Sequence, residues 1–285
     1  MHRSPTTPPD RGAASPPRRA LCASLAYTLA LSCASCSVIK REHGSVVFDG
    51  PGDTVVFVHG LRWRALGGMD WMARQFNRAG YRVILVRYPS RSLDGDAIEQ
   101  DYLARIIARE NTRRGRPLHF VAHSLGAVVT HRYLQDHAPP NLGRCVFIGT
   151  PHHGTELADI IGRKMPRVLK LIGPAAASLN TLGDSLTRSL RPPRFPAGII
   201  MGDRSNYPFL SPFIPGADDG VVAVRSGIVA GARDTVVLHE AHVEMIRSPE
   251  VFRQTRCFIE TGTFDHRRPV PKQGRIALGR PGGLR

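Results

Sequence analysis

The segment Phe120–Gly126 constrains the fold of this chain more than any other feature of its sequence. Apolar and β-favouring residues precede Ser124 and a helical pattern follows it, so the segment predicts a strand that turns sharply into a helix. Such a turn needs small residues two positions before and two after the serine, because the strand and helix backbones approach closely there. Gly126 meets this requirement, and Ala122 stands where glycine is expected. The segment therefore predicts a nucleophile elbow, which raises one serine hydroxyl above the edge of a parallel sheet.

Strand-like and helix-like segments alternate from residue 45 onwards, which indicates an α/β fold. Alternation of this kind predicts right-handed βαβ units and a mostly parallel sheet with helices on both faces. The predicted strands are 46–48, 54–58, 81–87, 118–122, 144–148, 197–201 and 235–238. The main predicted helices are 68–78, 94–110, 125–135 and 250–259.

Residues 152–193 break this alternation, because they contain helical patterns at 157–161, 168–172 and 175–182 but no predicted strand. Open α/β sheets bind ligands at the carboxyl ends of their strands. The insertion is therefore predicted to lie over those strand ends as a short helical lid. Its apolar residues suggest a pocket for an acyl chain, or else they pack the insertion onto the core: Leu157, Ile160, Ile161, Leu169 and Leu171.

The first 44 residues are predicted to be a leader and linker that precede the folded domain at 45–261. The pair Arg18-Arg19 is followed by an apolar stretch at 20–32, which is the order found in secretory signals and is too short to span a bilayer. Small residues before Cys33 and Cys36 resemble the lipoprotein cleavage box, and either cysteine would carry the lipid. A plain signal peptide and an uncleaved anchor are the alternatives. The leader therefore predicts an exported protein that is periplasmic, anchored to the cell-envelope membrane as a lipoprotein, or secreted.

The net charge of +16 is distributed along the chain rather than concentrated in one segment. Residues 1–44 carry +4, residues 45–261 carry +7, and residues 262–285, a predicted disordered basic tail, carry +5. No stripe of Arg or Lys alternates with aromatic residues, as nucleic-acid binding would need. The charge is compatible with affinity for anionic membrane surfaces.

A serine nucleophile needs a histidine base and an acid that orients the base. After an elbow of this kind the acid follows late in the sheet, and the histidine follows the last strand. Asp219 and His242 occupy these places, which gives the order Ser124, Asp219, His242. Gly220 permits the tight turn that would aim the carboxylate of Asp219.

Three other residues compete for the same roles. Asp203 directly follows the strand at 197–201, and Asp218 is adjacent to Asp219. His239 competes with His242, although it directly follows the last strand and has little length of loop with which to reach the serine. The sequence favours Asp219 and His242 and leaves these alternatives open.

Two backbone N–H groups are predicted to bind a negatively charged oxygen beside the serine. One belongs to Leu125, directly after the nucleophile, and the other to Leu61, in the loop after the strand at 54–58. Gly60 lets this loop turn inwards, and the helix that begins at Leu125 directs its positive end to the same place.

Four segments in this order resemble motifs of the α/β-hydrolases, in particular of bacterial triacylglycerol-lipase-like enzymes and esterases. They are Val55–Leu61, Ala122–Gly126, Ile148–Thr155 and Asp218–Val222, within a match from about residue 53 to 260. The resemblance implies the α/β-hydrolase fold and supports Asp219 over Asp203. Ala122 and Ala127 depart from the usual glycines without removing a reacting group.

The resemblance implies a serine hydrolase that cleaves carboxylic esters, with lipid-like acyl esters as substrates and no cofactor. Four histidines in these motifs are expected to line the site rather than to bind a metal: His59, His123, His152 and His153. A thioesterase, amidase or acyltransferase with the same three residues is an alternative. A catalytically silent envelope protein that binds lipid or acts as a scaffold is another.

Overall fold

The computed structural model describes residues 39–42, 45–61, 69–110, 116–182, 185–207 and 209–267, the first range by its backbone alone. The chain divides into residues 1–37 and 38–285, and the fold below belongs to the second unit. The predicted signal segment with Cys33 and Cys36 lies outside the described residues. In the part that is described, no helix combines the length and apolar character needed to cross a membrane.

Eight strands form one sheet. They are β1 (Ile39–Glu42), β2 (Ser45–Phe48), β3 (Thr54–Val58), β4 (Arg82–Val86), β5 (Leu118–His123), β6 (Leu142–Ile148), β7 (Ala197–Gly202) and β8 (Asp234–Leu238). Their order across the sheet is β1-β2-β4-β3-β5-β6-β7-β8. Strands β3 to β8 are parallel, whereas β1 and β2 are antiparallel additions at one edge. The mostly parallel α/β sheet predicted from the sequence is confirmed.

Helices cover both faces of this sheet. They are α1 (Asp70–Arg78), α2 (Gly95–Ile98), α3 (Ala104–Glu110), α4 (Leu125–His137), α5 (Glu156–Lys164), α6 (Pro166–Ile172), α7 (Pro174–Ala177) and α8 (Pro249–Thr261). Residues of α2, α3 and α4 belong to the core on one face, and residues of α1 and α8 belong to the core on the other. The central strands are buried on both faces, so their sequences are almost continuously apolar.

The ordered domain begins before residue 45 and extends beyond residue 261, the limits predicted from the sequence. Strand β1 lies inside the predicted leader and pairs with β2. Its charged sequence lacks an apolar alternation because edge strands are held mainly by backbone pairing. At the other end, Gly262 ends α8 in the left-handed conformation, and Phe264 is buried against Phe258. The first residues of the predicted disordered tail are therefore packed on the core.

Two predicted helices also differ in the structure. The helix predicted at 94–110 contains a π-helical turn at Glu99–Leu103, where buried Glu99 pairs with Arg132 of α4. The helix predicted at 175–182 is limited to α7. It ends early because Asp159 binds both the backbone N–H and the hydroxyl of Thr181, which holds the chain in a turn. Such contacts between distant residues override local helical preference.

Candidate active site

Ser124 lies at the turn between β5 and α4 in a strained backbone conformation. Its φ is 56° and its ψ is −127°, and among the described residues it is the only non-glycine with a positive φ. Conformations of this kind cost about 1–3 kcal/mol and persist where the surrounding structure enforces them. Here the N–H of Ser124 donates to the carbonyl oxygen of Ile148 in β6 at 2.9 Å. The predicted strand, turn and helix are present.

Two glycines make this turn possible by leaving room for backbone contact. A Cβ atom on Gly126 would lie 2.4 Å from the carbonyl oxygen of His59, and one on Gly60 would lie 2.7 Å from the Cβ of Ser124. Helix α4 and the loop after β3 therefore meet at the serine. The small residue predicted at position 126 is required there, whereas Ala122 is accommodated in β5 with its side chain fully buried.

His242 contacts the serine from the loop that follows β8. Its Nε2 lies 3.0 Å from the Oγ of Ser124, and its Nδ1 lies 2.7 Å from Oδ2 of Asp219. The N–H of His242 also donates to the carbonyl oxygen of Asp219 at 3.0 Å. The structure thus brings together the three residues that the sequence placed in the order Ser124, Asp219, His242.

The carboxylate of Asp219 is fully buried, and both of its oxygens have partners. While Oδ2 accepts from His242, Oδ1 accepts from the N–H groups of Val221 and Val222 at 3.0 and 2.8 Å. Gly220 has a φ of 95°, so the turn after Asp219 uses the conformational freedom predicted for this glycine. A buried carboxylate that is held in this way has a fixed orientation towards the histidine.

The competing residues have other partners. Asp203 and His239 pair with each other, with Oδ1 and Nδ1 2.9 Å apart. Asp218 accepts from the hydroxyl of Ser211 at 3.0 Å and from the N–H of Gly220 at 2.7 Å, which stabilises the turn itself. Only Asp219 among the three acids is hydrogen-bonded to His242 in the structure.

Two residues that the sequence analysis did not assign to the triad lie next to His242, one through a hydrogen bond and the other by leaving room for its ring. The Nε2–H of His123 donates to the carbonyl oxygen of His242 at 3.0 Å, and the two rings lie 4.7 Å apart. On Gly149, which has a φ of 54°, a Cβ would lie 3.2 Å from Nδ1 of His242. The sequence signal for both was their position, since each ends or directly follows a strand next to the serine.

The amides of Leu61 and Leu125 are placed as the sequence predicts at the end of β3 and at the start of α4. Among the described residues neither N–H has a hydrogen-bond acceptor. No acceptor in the described part of the chain therefore competes with a substrate oxygen for these N–H groups, and Leu125 adds the positive end of the α4 dipole.

The other histidines of the motifs have separate partners. His59 stacks on Tyr88 with ring centres 4.1 Å apart, and His153 binds the carbonyl oxygen of Ile228. His152 lies 2.7 Å from Nδ1 of His131 and 2.6 Å from the hydroxyl of Thr150. No group of three or more His, Cys, Asp or Glu side chains within the described ranges is arranged to hold a metal ion.

Four buried histidines make the folded protein sensitive to acid, and one of them is His119, whose pKa is lowered by burial. Burial and the neighbouring His242 hold the pKa of His123 well below its ordinary value, and burial lowers the pKa of His131 to about 4. Burial and the neighbouring His131 lower the pKa of His152 in the same direction. Below about pH 6.5 these histidines bind protons in the unfolded chain but remain neutral in the folded chain. The free energy of unfolding therefore falls as the pH falls.

We expect that decrease to reach about 1.4 kcal/mol per pH unit for each histidine, or about 4 kcal/mol per pH unit for His123, His131 and His152 together, with His119 adding to it. Urea unfolding at pH 8, 7, 6 and 5 measures it. His131→Gln should reduce the dependence of the free energy of unfolding on pH by about 1.4 kcal/mol per pH unit, which corresponds to one proton. The control His137→Gln, at an exposed position on α4, should leave it unchanged. A free energy of unfolding that stays constant from pH 8 to 5 would contradict the prediction.

Comparisons with known proteins agree with this architecture. Residues 55–267 match the family model described as the alpha/beta hydrolase family. The mature lipase BlEst2 of Bacillus licheniformis is 20% identical and has a TM-score of 0.60, with 79% of this chain and 100% of that chain covered. The metagenomic carboxyl esterase MGS0156 is 21% identical and has a TM-score of 0.51, with 74% and 73% covered. At these identities the similarity shows the fold. No curated protein sequence matches the chain.

Proposed function

Because this chain belongs to the alpha/beta hydrolase family, we propose that it is a serine hydrolase that cleaves carboxylic esters. One observation carries the proposal, namely the continuous hydrogen-bonded series from Asp219 through His242 to Ser124 at distances of 2.7 and 3.0 Å. A nucleophile, a base and a buried acid in these positions are the parts that acyl transfer requires.

The reaction proceeds in two halves on these residues. His242 takes the proton of Ser124 as Oγ attacks the ester carbonyl carbon, and the oxygen that gains negative charge accepts from the N–H groups of Leu61 and Leu125. His242 then gives the proton to the departing alcohol, which leaves an acyl group on Ser124. Water attacks this ester with His242 again as base, and the carboxylic acid is released. No cofactor takes part.

The substrates proposed are lipid-like acyl esters. Support comes from apolar side chains on α5 and α6 that are only half-buried, namely Leu157, Ile160, Ile161 and Leu169. In the described part of the chain, none of them is among the side chains that pack against either hydrophobic core. They therefore remain available to contact an acyl chain. Leu171, which the sequence analysis placed with them, is largely exposed instead.

The protein is proposed to act outside the cytoplasm, since the leader has the order of a secretory signal. Lipid attached to Cys33 or Cys36 would hold it at a membrane. Mass spectrometry of the mature protein from cells tests this part, and an unmodified amino terminus beyond both cysteines would exclude the lipid anchor.

Hydrolysis of p-nitrophenyl esters with acyl chains of two to sixteen carbons tests the proposed reaction. We expect turnover without added cofactor and a maximum of kcat/KM at eight carbons or more. A maximum at two to four carbons would retain the esterase and contradict the lipid-like substrate. Labelling of Ser124 by a fluorophosphonate without ester turnover would point to a thioesterase, amidase or acyltransferase. Absence of both would favour the silent lipid-binding protein.

A further inference from the structure

The exposed large apolar side chains of the described residues all lie in two parts of the chain. We call them the apolar rim: Met165, Val168, Leu171, Leu182, Phe209, Phe213 and Ile228. Each belongs to the helical insertion or to the loops between β7 and β8. Leu171 is 59% exposed and Phe209 is 68% exposed. Soluble monomeric proteins seldom expose large apolar side chains together in one region. The rim therefore indicates a surface that binds a partner molecule or a membrane.

Contacts between these segments place the rim at the carboxyl edge of the sheet. The ammonium group of Lys164 lies 5.8 Å from the ring centre of Phe213, which joins the end of α5 to the loop before Asp219. Nε of Arg91, in the loop after β4, donates to the carbonyl oxygen of Leu171 at 3.1 Å. His153 binds the carbonyl oxygen of Ile228 at 3.0 Å. The rim therefore borders the edge at which Ser124 lies.

Four cations accompany the rim: Arg163, Lys164, Arg167 and Lys170, all exposed. None of them pairs with an acidic side chain in the described part of the chain. Residues 160–182 contain no acid, and residues 205–217 contain no charged residue of either sign. The nearest preceding acid, Asp159, is held by Thr181. In the described part of the chain, this surface therefore combines apolar side chains with four cations that pair with no acidic side chain.

We infer that the apolar rim and these four cations form a docking surface for an anionic lipid bilayer. Apolar side chains beside Lys and Arg on short helices suit the boundary between headgroups and acyl chains. A second copy of this chain fits less well, because a two-fold interface would place the cations against one another. The inference goes beyond the proposed reaction, since binding does not require catalysis.

Vesicle sedimentation with the full chain carrying Ser124→Ala tests the inference without lipid turnover. Affinity should be at least about tenfold higher for vesicles with 30% phosphatidylglycerol than for pure phosphatidylcholine, and should fall in 0.5 M salt. The double variant Lys164→Gln/Lys170→Gln should bind anionic vesicles about 25-fold more weakly, because each cation near the surface contributes about fivefold. Leu171→Ser/Phe209→Ser should lose about tenfold or more on the same vesicles.

The matched control is Arg78→Gln/Arg256→Gln, which removes the same charge at the opposite edge of the sheet. Arg78 ends α1, and Arg256 pairs with Glu260, whose carboxylate also accepts from Tyr81 just before β4. Binding should be unchanged in this control. Equal losses in both double variants would mean that binding follows overall charge, and would overturn the inference. Equal binding to both vesicle types or no binding to either would also overturn the inference. A dimer that Leu171→Ser/Phe209→Ser dissociates would overturn it as well.

Turnover of a soluble ester by the same variants on the wild-type Ser124 background separates this inference from the proposed function. Lys164→Gln/Lys170→Gln should keep that turnover while losing vesicle affinity. Vesicle binding by a chain that hydrolyses no ester would retain the docking surface and overturn only the reaction.

Discussion

Replacement of Ser124 by alanine is expected to lower kcat/KM for ester hydrolysis by about 10⁴- to 10⁶-fold. The Oγ atom forms the acyl intermediate, and His242, Leu61 and Leu125 offer no second nucleophile at its position. Fluorophosphonate labelling should disappear with the activity. The fold should be retained, because the substitution removes only the hydroxyl group and alanine has to adopt the same backbone conformation that Ser124 already adopts at the turn. Rates for a p-nitrophenyl ester, with circular dichroism of both proteins, check the prediction.

Ser189→Ala is the matched control, because the hydroxyl of this exposed serine donates to the carbonyl oxygen of Leu186 on a short turn of the insertion. It should retain full activity. Equal turnover by wild type and Ser124→Ala would mean that the reaction proceeds elsewhere. That result would exclude Ser124 as the nucleophile.

Replacement of Asp219 by asparagine is expected to lower kcat/KM by about 10⁴-fold. The amide oxygen can still accept from Val221 and Val222, so the turn keeps its hydrogen bonds. The amide nitrogen then faces Nδ1 of His242 as a donor. This favours the tautomer with the proton on Nε2, which cannot accept the proton of Ser124. The imidazolium formed during the reaction also loses its neighbouring negative charge.

The variants Asp203→Asn and Asp218→Asn show which acid serves the histidine. Asp203→Asn should retain nearly full activity, because its carboxylate binds His239 rather than His242. Asp218→Asn should lower Tm and leave kcat nearly unchanged, because this residue stabilises the turn through Ser211 and Gly220. A 10⁴-fold loss in Asp203→Asn with Asp219→Asn still active would reassign the acid.

Local sequence was sufficient to predict the elbow, because its strand, turn and helix are contiguous and Gly126 has a steric requirement that a sequence reveals. It was also sufficient for the order of Ser124, Asp219 and His242. The choice among three acids was harder, since Asp218 and Asp219 are adjacent and differ only in which way the turn directs them. Resemblance to a family motif favoured the residue that the structure places beside His242.

Contacts between distant parts of the chain explain what the sequence did not reveal. The bond from His123 to His242 joins residues 119 positions apart, and its only sequence signal is the position of His123 at the end of β5. Strand β1 pairs through its backbone with β2, and Glu99 in the π-helical turn pairs with Arg132 of α4. Phe264 looked like part of a tail because the partner that buries it, Phe258, belongs to the preceding helix.

The elements that hold Ser124 and His242 differ in local stability, because their strands have different positions in the sheet. Strand β5, which Ser124 directly follows, has neighbours on both sides, whereas β8, which precedes His242, lies beside β7 at the edge of the sheet. Edge elements open locally at lower free energy than central ones. Fraying of β8 would detach the base while the serine stayed in its strained turn. We therefore expect the lifetime of the proposed activity to follow the local stability of this edge strand and its loop more closely than the stability of the whole domain.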